Sequence, residues 1–132
     1  MKSLSLKPEW ALKILVGEKT VECRTWKTDY RGEILICSSA TKTRGTIPGK
    51  ALIVATISDI VPFTKEHLVD SAMSAMPDKK SYAWMLTNFK PVYPFDVKGK
   101  LNLFDIDDNL IKFIPDDADD KTIDEIYNPL FI

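Results

Sequence analysis

Histidine is nearly absent from this sequence, glycine is sparse, and no apolar run is long. The single histidine, His67, would have to serve any Ser–His–Asp hydrolase, yet it falls on an expected surface helix with nothing to bring it near Ser38 or Ser39. Cys23 and Cys37 are too few for a disulfide framework. Both sit in apolar, strand-like runs and read as buried free thiols of a cytoplasmic protein. One histidine and two scattered cysteines make no zinc site without several carboxylates. The stretch from Arg44 to Lys50 holds Gly45 and Gly49 but lacks the spacing of a phosphate-cradling loop. The C-terminal aspartates lack the glycine and terminal glutamate of a calcium loop. No segment approaches the ~20 apolar residues that span a bilayer, and Met1–Pro8 has no secretion-signal core. Neither a cofactor, nor a metal, nor a membrane partner is expected.

What is present is ordinary in amount and uneven in placement. The 132 residues, 45% apolar and 28% charged, suit one globular domain with a real core. The net charge of −1 hides an asymmetry: +5 over residues 1–50, +1 over 51–100 and −7 over 101–132. A basic front half can face an anion such as a phosphate backbone. The acidic end reads first as a solvated surface.

The elements follow from pattern. Leu4 and Leu6 alternate with polar neighbours, a short strand. Pro8 and Glu9 suit a helix start, Leu12, Leu15 and Val16 recur at helical spacing, and Gly17 is a stop. From Thr20 to Arg24 the period is two: Val21 and Cys23 face one way, Glu22 and Arg24 the other. Ile34–Cys37 is a strand covered on both faces, and Ala51–Ile57, running on towards Val61, is the strongest strand. Thr64 caps a second helix, and residues 73–80 form a loop. Tyr82–Leu86 is a strand, after which Pro91 and Pro94 keep the chain extended but out of a central strand. Lys98-Gly99-Lys100 is a turn, and residues 123–127 give one or two helical turns. Five or six short strands with few helices predict an α+β fold whose sheet closes into a small barrel, leaving no edges.

The chemistry concentrates between Gly17 and Trp26. Glu22 and Arg24 share a strand face, and Lys19 reaches them only if the Gly17 turn allows it. As a surface pair they would contribute ~0–1 kcal/mol. Converging on a cleft, they would bind a polar or anionic ligand, arginine through its planar fork and lysine as a point charge. The residues leave both readings open.

Gly17, Lys19, Glu22 and Arg24 spell Gly-x-Lys-x-x-Glu-x-Arg between a helix and a strand. With Arg31–Ile36, Tyr82–Trp84 and Pro94–Leu101 in the same order, the sequence resembles an ASCH domain, a branch of the PUA-like superfamily, over residues 3–106. Residues 107–132 read as an acidic extension of that single domain. The resemblance implies a small β-barrel with flanking helices, a cleft beside the motif, and a role with RNA or nucleotides. Some relatives are amidohydrolases acting on acylated cytidine, and a ribonuclease activity has been attributed to another. In the amidohydrolase branch a lysine activates a threonine three residues on, with a distant glutamate completing the site. Here Lys19 matches that lysine, but Glu22 stands at the threonine position, and strand alternation does not make Thr20 a substitute.

The leading expectation is therefore a module that binds RNA or a modified nucleotide through Lys19, Glu22 and Arg24. Trp26 is a candidate to stack a base, and Ser38, Ser39, Lys42 and Arg44 are candidates to meet phosphate. The second expectation is a hydrolase of a nucleoside amide or an RNA phosphodiester. There Lys19 and Glu22 would be catalytic, Glu22 as general acid or base. The third is a protein-interaction domain using the acidic tail.

Overall fold

A computed structural model describes residues 1–132. The elements run β1 (Lys2–Leu6), α1 (Pro8–Leu15), β2 (Val21–Arg24), β3 (Gly32–Ser38), β4 (Lys50–Pro62), β5 (Tyr82–Asp96), β6 (Phe104–Asp105) and α2 (Asp120–Tyr127). The six strands form one mixed sheet in the order β2-β5-β4-β3-β1-β6. Only β1 and β3 are parallel.

The expected barrel is not formed: β2 and β6 remain edges. Four-residue β2 and two-residue β6 are too short to zip a closing ladder, although β4 and β5 are long and bent by register shifts. A side chain crosses the remaining gap. Arg24 Nη2 of β2 donates to the Ser5 carbonyl of β1 at 2.9 Å.

Alternation along β3 explains why its apolar run is continuous. Ile34 and Ile36 join one core with Leu4, Leu6, Leu52, Ile57 and Trp84, covered by Ala11 and Ile14 of α1. Leu35 and Cys37 face the opposite side with Ala51, Val54, Val92 and Phe104. Each Leu, Ile, Val or Phe among them contributes roughly 1.5–3 kcal/mol by leaving water. Gly17, at φ +85°, ends α1 in the left-handed region that glycine enters freely.

Two other expectations are corrected. The second helix is only a 3-10 turn, Lys65–His67, in which His67 Nδ1 accepts from the Thr64 amide at 2.9 Å. Its lone histidine is thus spent on a cap. Pro91 and Pro94 lie inside β5, a central strand. They are tolerated because the ladder slips there: Phe95 pairs with Ala51 and Pro91 with Ile53, so residues 92–94 oppose Leu52 alone, and missing donors fall at an irregularity.

The acidic C-terminal segment folds back onto this framework. The Tyr127 hydroxyl lies 3.2 Å from the Leu52 carbonyl and 3.0 Å from that of Val92. Ile132 exchanges backbone bonds with Gly45 and Thr46, tying down the loop that carries Lys42 and Arg44.

Candidate functional site

After Gly17 the chain is held by backbone bonds from Glu18 and Lys19 to the Lys13 carbonyl, and from Thr20 and Val21 to that of Asp70. This tight exit from α1 turns Lys19 inward. Its Nζ lies 3.3 Å from Glu22 Oε1, donates to the Ser71 carbonyl at 2.8 Å, and sits over the Trp10 ring at 4.9 Å. Glu22 Oε2 lies 3.4 Å from Arg24 Nε. Side-chain exposure is 1% for Lys19, 6% for Glu22 and 25% for Arg24, so charge is buried at one end and reaches solvent at the other.

Glu22 is buried because β2 is covered on both faces. Its cross-strand partner is Trp84 of the main core, so the face that reads as polar in sequence points under α1. Val21, on the other face, packs with Phe63 and Ala83 in a smaller cluster. Burying a carboxylate is tolerable only with opposite charge beside it, which Lys19 and Arg24 supply. One group remains incomplete. Arg24 Nε is out of water and makes no hydrogen bond, since its approach to Glu22 is misaligned.

These side chains line a cavity of about 210 Å³ together with Lys7, Trp10, Cys23 and Met73. Burial pulls the Lys19 ammonium below its ordinary pKa, with Glu22 opposing that shift. Burial pushes the Cys23 thiol up, against a hydrogen bond from Ser81. Ser71, whose carbonyl accepts from Lys19, is followed by Ala72 at φ +58°, a conformation costly for a residue with a Cβ. No group of three or more histidine, cysteine or carboxylate side chains comes together to hold a metal.

The remaining sequence candidates lie apart. Trp26 packs edge-on against Trp84, with centroids 4.8 Å apart, and its carbonyl accepts from Trp84 Nε1. Ser38 is buried, its hydroxyl accepting from the Lys50 amide at 3.0 Å and facing the Lys50 carbonyl at 3.3 Å. Ser39 borders a second, shallower hollow, while Lys42 and Arg44 are exposed on the loop beyond it. Sequence reading passed over Trp10, Lys7 and Met73. Trp10 lies nine residues before Lys19 on a helix face that looks like core, and nothing local marks it as a wall of the cavity.

A family model for the ASCH domain matches residues 4–97. Comparison with curated protein sequences finds no match. Among solved structures, a serine-to-alanine variant of the ASCH protein from Zymomonas mobilis is similar over 84% of this chain and 96% of its own, at a TM-score of 0.67 and 17% identity. The unsubstituted protein from that organism is similar over 82% of this chain and 88% of its own, at 0.57 and 18%. A tyrosine-to-phenylalanine variant gives 72% and 74%, at 0.54 and 21%. At these identities the likeness is one of fold.

Proposed function

The chain belongs to the ASCH domain family, within the PUA-like superfamily, and on that premise we propose that it binds RNA or a modified nucleotide, taking a base-sized polar group into the cavity between α1 and β2. ASCH domains are generally proposed to bind RNA. The observation that carries the reading is the unpartnered Arg24 Nε beside the buried Glu22 carboxylate, both on the wall of one cavity. A buried donor without a partner costs about 1–3 kcal/mol. The Glu22 carboxylate at 3.4 Å offsets part of that cost, and a ligand acceptor that draws the guanidinium towards the cavity would recover the rest. The cavity of about 210 Å³ is smaller than the ~300–1,000 Å³ of sites for drug-sized ligands, which favours a single base over a larger molecule. Trp10 lines the cavity, with its ring under Lys19 Nζ at 4.9 Å and Lys13 Nζ at 5.4 Å. Single-stranded or splayed-out bases fit, because a paired base has no free edge to present. Ser39 borders the adjoining hollow, and Lys42 and Arg44 are exposed on the loop after it.

A hydrolase is the second reading, favoured by Lys19. A buried lysine with a lowered pKa, 3.3 Å from a carboxylate, is a usual arrangement for proton transfer.

One experiment separates the two. A labelled random-sequence octaribonucleotide, titrated at low salt and followed by anisotropy, should bind wild-type protein. Lys19→Met and Glu22→Gln should each weaken it about tenfold, the loss of one charge-assisted bond. Unchanged affinity in Lys19→Met, Glu22→Gln and Arg24→Gln together would overturn the site. Shortening of the RNA, abolished in Glu22→Gln, would replace binding with hydrolysis.

A further inference from the structure

The cavity does not end at Arg24. Lys7 and Arg24 are shared with a second, open groove of about 500 Å³, whose other walls include Ser39 and the segment Lys98-Gly99-Lys100. No aspartate or glutamate lines this groove. Lys7, Lys98 and Lys100 are exposed and have no carboxylate within 4.0 Å, although Lys50, Lys90 and Lys2 all do. Asp96, Asp105 and Asp107 border a hollow that Lys98 and Lys100 also line, but none of them pairs with either lysine. Three lysines thus face the groove with no carboxylate partner, beside Arg24, whose Nε lies 3.4 Å from Glu22.

The segment is placed by contact, not left to drift. A Cβ on Gly99 would meet Ser5 Oγ at 2.5 Å, so only glycine lets the segment lie this close to β1. The Val97 amide, just before it, donates to the Gly49 carbonyl at 3.0 Å. The Ser5 carbonyl also receives Arg24, so one residue of β1 positions both the guanidinium and the segment.

We infer that this groove is a phosphate site, and that the ligand is a phosphorylated nucleotide or an RNA strand whose phosphate lies on Lys7, Arg24, Lys98 and Lys100 while its base occupies the cavity. Lysines serve phosphate as point charges, and arginine adds directed donors. The shared Lys7 and Arg24 set the two subsites side by side. A free nucleoside would leave the groove empty. The site of the phosphate stands on the groove's geometry. Naming it a nucleotide's phosphate rests on the cavity reading above.

The test uses the whole protein, 15N-labelled, with Lys98→Gln/Lys100→Gln as the variant, since neither residue lines the cavity. Inorganic pyrophosphate should move the backbone amides of Ser39, Gly99 and Lys100 in the wild type and not in the variant. The four ribonucleoside 5′-monophosphates should include one that binds about tenfold more tightly than its parent nucleoside, the effect of about one charge-assisted contact. That preference should vanish in the variant while nucleoside affinity stays the same. Pyrophosphate that leaves the groove amides unmoved overturns the phosphate site, as does a monophosphate preference that survives in the variant. Groove shifts with pyrophosphate, but no response of the Trp10 indole or the Met73 backbone amide to any nucleoside or monophosphate, would uphold the phosphate site and sink the cavity reading.

Discussion

Glu22 is the residue on which the local electrostatics turn. It is nearly out of water and faces a cation on each side, Lys19 at 3.3 Å and Arg24 at 3.4 Å. Removing either partner of a buried pair is not symmetric here. Glu22→Ala strands Lys19 in the interior with only the Ser71 carbonyl, and should destabilise the fold by about 3–5 kcal/mol. Lys19→Met leaves Glu22 with Arg24 and should cost clearly less. The combined Lys19→Met/Glu22→Leu protein should recover much of the loss. Urea unfolding of the three variants checks the order. Equal losses for the two single changes would mean that Arg24 does not hold the carboxylate. Sequence alternation correctly separated Glu22 and Arg24 from Val21 and Cys23. It could not say that the polar face is the covered one, because that depends on α1 packing over Trp84, a contact across some seventy residues.

At the scale of elements, α2 is the piece with most riding on one side chain. Its first turn is capped by Asp119, which accepts from the Thr122 amide at 2.8 Å. That bond holds the Asp119 carboxyl below its ordinary range, so the cap is present above the unfolded pKa and lost as pH falls through the folded one. At its far end the buried Tyr127 hydroxyl shares one proton between the carbonyls of Leu52 and Val92. Tyr127→Phe should therefore cost about 1–3 kcal/mol, because carbonyls between β4 and β5 lose their partner out of water. Thermal unfolding followed by circular dichroism measures it. An unchanged midpoint would show that α2 is held by apolar packing alone. Strand content was legible from Ile34–Cys37 and Ala51–Ile57, where β-branched runs leave little choice. The reach of β5 through two prolines was not. It depends on a register slip opposite Leu52, and proline rules speak only of regular ladders.

At the scale of the molecule, buried titratable groups set an alkaline limit. Burial pushes the Cys37 thiol up from 9.0 to about 12, and raises the Tyr127 hydroxyl as well. Both keep their protons in the folded state after the unfolded chain has lost them. The native state then binds more protons, and stability falls as pH rises above about 9. Lys19, with its pKa lowered, acts with the opposite sign: its buried charge costs least once it is neutral, so its contribution improves as pH rises towards 10.5. For Cys37 alone the fall should be about 2 kcal/mol by about pH 10.5. Urea midpoints of wild type and Cys37→Val across this range give the difference. Parallel curves would show that the thiol is not carrying the effect. The α+β class and the family were legible in sequence because a short motif and ordered flanking segments are local signals. The open sheet was not, since closure depends on the lengths of β2 and β6, and no residue pattern states where a ladder stops.

That openness gives one crossing point a double duty. Between β1 and β2 there is no backbone ladder, only the Arg24 guanidinium resting on the Ser5 carbonyl. The same guanidinium borders both hollows. It works as a button over a seam: the side chain that fastens the two strands is also the one that an anion in either hollow would meet.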